Sequence, residues 1–75
     1  SNATPSVVAT TDGVAFEIES SSDVQVTLEV EAGQEYKVFI DNTNVGMMKA
    51  NLGGKLTLSV ELSEGTAAAV RVKKQ

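Results

Sequence analysis

Apolar and polar residues alternate along most of this chain. Val24, Val26, Leu28 and Val30 are interleaved with Gln25, Thr27 and Glu29, and Leu56, Leu58, Val60 and Leu62 with Thr57, Ser59 and Glu61. Successive side chains of a strand point to opposite faces, so a period of two marks strands with one buried face and one wet face. Val14, Phe16 and Ile18 repeat the pattern against Glu17 and Glu19, as do Tyr36, Val38 and Ile40, and then Ala68, Val70 and Val72. Ser6 to Thr10 reads as an edge strand, since Pro5 just before it has no N–H to give to a ladder. Val45 to Leu52 reads as a strand of undecided facing: either Met48, Ala50 and Leu52 point inward, or Val45 and Met47 do. Ala67-Ala68-Ala69 is the one helix-friendly run, and it is too short to nucleate a helix.

Turn residues punctuate these segments. Thr11-Asp12-Gly13, Ala32-Gly33-Gln34, Gly53-Gly54 and Ser63-Glu64-Gly65-Thr66 are predicted turns, and Ser20 to Asp23 a polar loop. Asp41-Asn42-Thr43-Asn44 is the strongest loop signal, because each of its side chains can bond nearby backbone. Lys73-Lys74-Gln75 is expected to fray. About seven short strands at this spacing predict an all-β fold, a small sandwich or barrel of antiparallel strands. Period and turns do not reveal whether the sheet closes.

Composition narrows the chemistry. At 75 residues the chain makes one domain at most. Ser1-Asn2-Ala3 reads as the remnant of a cleaved expression tag, which leaves residues 4–75 as a single β domain. There is no Cys and no His, so a disulfide, a thiolate or imidazole metal site and a His-based catalytic triad are all unavailable. No cofactor or metal is expected, and the chain reads as no enzyme. A net charge of −4 with few clustered cations argues against a nucleic-acid partner. No apolar run approaches the roughly 20 residues of a membrane helix, so membrane insertion is not expected. A cysteine-free β domain rich in Thr, Ser and Val fits an exported bacterial protein, placed outside the cell or on its surface.

The stretch Tyr36-Lys37-Val38-Phe39-Ile40-Asp41, Asn44-Val45-Gly46, Ala50 to Val60 and Ser63-Glu64-Gly65 resembles bacterial immunoglobulin-like domains. The resemblance covers about half the chain and rests on turn glycines and alternating aliphatics. Leu56 stands where many members carry Trp, and no Gly directly follows Asp41. The resemblance implies an immunoglobulin-like β-sandwich used as a spacer or docking piece in a multidomain protein. It brings no catalytic residues with it.

Candidate sites are sparse. Glu17 with Glu19, and Glu29 with Glu31, would lie about 7 Å apart on one strand face, the spacing of a solvated acidic face more often than of a catalytic pair. Asp41-Asn42-Thr43-Asn44-Val45-Gly46 resembles a calcium loop but has Val45 and Leu52 where the EF-hand pattern needs oxygen ligands. A looser cation site from Asp41, Asn42 and Asn44 is a weak alternative to simple turn formation. Phe39 lies on the face opposite Tyr36, Val38 and Ile40, where it either stacks on a ligand or is partly covered. Met47 and Met48 put one methionine on each face; the pattern does not decide which points outward, and the outward one, with Met47 among the candidate binding residues, is expected to contact a neighbouring domain or copy. The expected function is a non-catalytic accessory, spacer or interaction module whose binding surface, if it has one, centres on Phe39, Asp41, Asn42, Asn44 and Met47. The alternative is a carbohydrate-binding module beside a glycoside hydrolase. Weak self-association through a strand edge, at Val7 to Thr10 or at the last strand, is a further expectation.

Overall fold

The computed structural model describes residues 6–10 and 12–75. Six strands are described with their side chains: β2 (Gly13–Glu19), β3 (Val24–Glu29), β4 (Glu35–Ile40), β5 (Thr43–Lys49), β6 (Lys55–Val60) and β7 (Ala67–Lys74). β1 (Ser6–Thr10) enters through its backbone pairing with β2. The expected tag remnant and Pro5 lie outside the described residues. All pairings are antiparallel. The strands form two sheets, one in the order β1-β2-β7-β4-β5 and one of β3 with β6.

The period-two pattern becomes one shared core. The five-stranded sheet turns Phe16, Ile18, Tyr36, Val38, Ala68, Val70 and Val72 inward, and β3–β6 supplies Leu28, Leu56, Leu58 and Val60. Register explains why they coincide: Phe16 stands opposite Val70, Val38 opposite Val72, and Leu28 opposite Leu56. Alternation on each strand therefore lines up across the ladder and fills one face. Tyr36 is buried, and its hydroxyl accepts the Glu31 N–H at 2.9 Å, so the phenol brings no unpaired polar group inside.

Several elements differ from the sequence reading. β7 lies in the middle of its sheet, between β2 and β4, so the last strand is no edge. It also continues through Lys73 and Lys74 instead of fraying. The Lys74 N–H donates to the Asp12 carbonyl, and the Gln75 N–H to the Glu35 carbonyl at 2.9 Å. The predicted four-residue loop after Ile40 contracts to two residues, Asp41 and Asn42, with φ of 51° and 67°. Two consecutive left-handed residues are what a tight hairpin needs to match strand twist, and Asp and Asn tolerate that region best after Gly. Thr43 and Asn44 already belong to β5. Gly13 is likewise a strand residue, and room decides its identity: a Cβ there would stand 1.9 Å from the Val72 carbonyl oxygen.

Candidate functional site

The outer face of the five-stranded sheet can be read off its register. One row across the strands is Gly13, Lys73, Lys37 and Met47; the next is Ala15, Arg71, Phe39 and Asn44. Beyond them Glu17 stands opposite Ala69, and Glu19 opposite Ala67. Lys37, Arg71 and Lys73 thus gather toward one end of the face, where Glu35 also stands opposite Lys49, and Glu17 and Glu19 lie at the other end beside small alanines. Lys37 and Lys73 are directly opposed like charges, an arrangement that destabilises a ladder. The two ion pairs among the described residues lie elsewhere, Lys55 with Glu29 at 2.9 Å and Lys74 with Glu31. The hydrogen bond from Lys55 and its charge hold the Glu29 carboxyl below its ordinary range, and Glu31 raises Lys74 in the same way.

Ala15 and Ala69 leave a shallow cleft of about 400 Å³ on this face, bounded by Glu17, Arg71 and Asn42. Arg71 extends over the Phe39 ring, its guanidinium carbon 4.4 Å from the ring centroid. This cation–π contact half-covers Phe39.

Strand β5 forms one edge of the sheet, and none of its residues is buried. Its pairing with β4 shifts between Val38 and Phe39, so that Val45 bulges out between Asn44 and Gly46. The Asn44 side-chain oxygen accepts the Gly46 N–H at 2.9 Å across that bulge. Among the described residues, the large exposed hydrophobics are Val45, Met47, Met48 and Leu52, all on β5 or in the turn that follows it. Of the two facings expected for this strand, the register agrees with the first for Met48, which stands opposite buried Tyr36, while Met47 stands opposite Lys37 on the outer face; Ala50 is buried, but Met48 stays 38% exposed and Leu52 89%.

The five candidate residues divide by what their atoms do. Asp41 is committed to structure: its N–H donates to the Ala69 carbonyl at 2.8 Å, and its carboxylate accepts the Ala69 N–H at 3.0 Å. Asn44 holds the bulge. Asn42 reaches the cleft, Phe39 underlies Arg71, and Met47 is open to solvent. The structure therefore brings Phe39, Asn42 and Met47 to one outer face but takes the oxygens of Asp41 and Asn44 for the hairpin itself. Sequence reasoning missed Arg71, Lys37 and Lys73 as a group. The outward alternation Ala67, Ala69, Arg71, Lys73 was readable, but only the strand order shows that Phe39 and Lys37 lie beside it. Glu29 and Glu31 separate as well, because β3 ends at Glu29 and each carboxylate meets its own lysine.

No protein-family model matches this chain, and no curated protein or solved structure matches it.

Proposed function

We propose that this chain is a non-catalytic accessory module, an immunoglobulin-like β-sandwich of an exported or surface-attached bacterial protein. In this reading it contacts a neighbouring domain through the β5 edge. The observation that carries the reading is the gathering of Val45, Met47, Met48 and Leu52 on one edge strand and its following turn. Scattered apolar side chains at a surface need no explanation, but four on one edge strand and its turn, with Met47 on one face and Met48 on the other, let a partner grip the edge from both sides. Methionine suits such a surface because its flexible thioether adapts to a partner. The bulge at Val45 and the charge of Lys49 oppose open-ended strand addition, which favours side-chain docking over sheet extension. The architecture is supported by one core drawn from two antiparallel sheets.

The carbohydrate-binding alternative depends on Phe39 as a stacking platform. Arg71 occupies a face of that ring, so a sugar would have to displace a cation already seated there.

The test compares methyl NMR signals of the module alone with those of the module joined to its flanking domains. Val45, Met47, Met48 and Leu52 are expected to shift and to lose solvent exposure when the neighbours are attached. Unchanged signals beside folded neighbours would overturn the docking reading. Shifts at Phe39 and Arg71 on adding oligosaccharide, with β5 silent, would favour the carbohydrate alternative.

A further inference from the structure

The outer face of the five-stranded sheet carries both signs of charge, and none of its described side chains takes part in either of the two ion pairs. Lys37 has Met47 and Lys73 as its cross-strand neighbours, Lys73 has Gly13 and Lys37, and Arg71 has Ala15 and Phe39. Glu17 and Glu19 face Ala69 and Ala67 instead of lysines. Glu17 and Glu19 on β2 thus hold one corner of the surface and Lys37 and Lys73 the other, with Arg71 between them and diagonal to Glu17 across the cleft. Among the described residues no ion pair joins them, and residues 1–11 contain no Asp or Glu to do so. Glu35 stands opposite Lys49 and Asp12 lies near the cationic end, so the charge left without a cross-strand carboxylate is that of Lys37, Arg71 and Lys73.

From this arrangement we propose that the outer face is a homodimer interface, occupied by the same face of a second copy. A two-fold axis lying in the face, perpendicular to the line between the two corners, lays the carboxylate corner of each copy over the cationic corner of the other. Complementarity is then satisfied twice, as an isologous contact requires. A purely acidic partner would meet Glu17 and Glu19, and a purely basic one Lys37 and Lys73. A second copy supplies the matching bipolar surface by symmetry. Ala15 and Ala69 between the corners, and Ala67 beside Glu19, are small enough to let two sheets approach closely.

The size of the face sets the strength. Five strands about 4.8 Å apart, each presenting some 20 Å of length, make roughly 500 Å². That is short of the ~800 Å² per partner of a stable interface, so the dimer is reversible and concentration-dependent. The charges pair toward its two ends, where solvent ions reach them, so it weakens as salt rises.

Sedimentation velocity on the full chain tests this, at protein concentrations up to the order of 1 mM. The wild type is expected to dimerise at low salt, with affinity falling about tenfold or more at high salt. The pair Lys37→Glu and Lys73→Glu abolishes the dimer, and so does the pair Glu17→Lys and Glu19→Lys. Mixing these two variants restores a dimer containing one copy of each. Glu61→Lys with Glu64→Lys changes the net charge as the second pair does, at exposed positions off this face, and leaves the dimer intact. Circular dichroism shows that each variant is folded. A wild type that stays monomeric at the highest concentration would overturn the proposal, as would folded variants whose mixture fails to associate. A dimer indifferent to all these reversals but broken by Leu52→Glu, in the exposed turn after β5, would place the contact at the β5 edge and overturn it equally.

Discussion

Strands β5 and β6 follow one another in the chain and are nearly equal in length, yet they meet opposite fates. β6 alternates perfectly and buries Leu56, Leu58 and Val60; β5 carries Val45, Met47 and Met48 and buries none of them. Hydrophobicity does not separate the two, but position does. β6 pairs with β3, and its inward residues share one core with those of β2, β4 and β7. β5 pairs only with β4 at the edge of the other sheet and adds no buried residue to that core. The same apolar content therefore becomes core on one strand and contact surface on the other.

The comparison makes its largest claim about truncation. Leu58 is 3% exposed and Met48 38%. Leu58→Ala removes buried methyl groups and leaves a cavity, which costs about 2–5 kcal/mol. Met48→Ala removes a side chain already in partial contact with water, and is expected to cost under about 1 kcal/mol. Urea unfolding monitored by fluorescence of Tyr36 or by circular dichroism measures both, with the midpoint as readout and a constant slope as the check on two-state behaviour. Equal losses at the two positions would mean that β5 is covered after all, and the contrast would collapse.

A smaller effect is expected where β5 is tied to the rest of its sheet. Asp41 adopts a left-handed φ of 51° and accepts the Ala69 N–H at 3.0 Å, fastening the β4–β5 hairpin to the start of β7. Asp41→Ala loses that bond and places a residue less tolerant of left-handed backbone there, for a cost of about 1–2 kcal/mol. Asp41→Asn keeps both properties and should stay close to wild type. Faster hydrogen exchange at Ala69 in the alanine variant, with the β3–β6 amides unaffected, would show that the hairpin loosens independently of the opposite layer.

Much of the fold is legible in the residues. Leu56, Leu58 and Val60 announce their facing because each is followed by a polar residue, and the turns at Gly33, Gly54 and Gly65 announce theirs through left-handed glycines. Strand order is less legible. Nothing local in Ala67 to Lys74 says that this last strand inserts between β2 and β4, since pairing partners are chosen by long-range packing and not by propensity. The candidate surface inherits that blindness. Phe39 and Met47 were visible as outward residues, but Arg71 and Lys73 become their neighbours only through the β4–β7 register. β5 escaped a facing because its bulge at Val45 breaks the period of two that assigns one.

The smallest effect belongs to the exposed face of the β3–β6 pair. Lys55 on β6 donates to the Glu29 carboxylate on β3 at 2.9 Å, the two residues being cross-strand partners. The lysine lowers the Glu29 carboxyl from its ordinary value of 4.5, through the hydrogen bond first and its charge second. A carboxyl depressed in the folded state contributes stability that is present above its unfolded value and is lost as pH falls through its folded value. Wild type should therefore exceed Glu29→Gln in Tm at neutral pH, and the gap should close as the solution is acidified below about 4.5. Lys74, raised from 10.5 by Glu31, behaves in the opposite sense: its contribution is complete below that value and disappears as pH rises through the higher folded value. Both pairs are solvent-exposed, so the Tm differences are small and shrink with added salt. A gap that survived high salt would mean that Glu29 acts through the packing of its aliphatic stem on the β3–β6 ladder, because screening removes an ionic contribution and leaves a packing one in place.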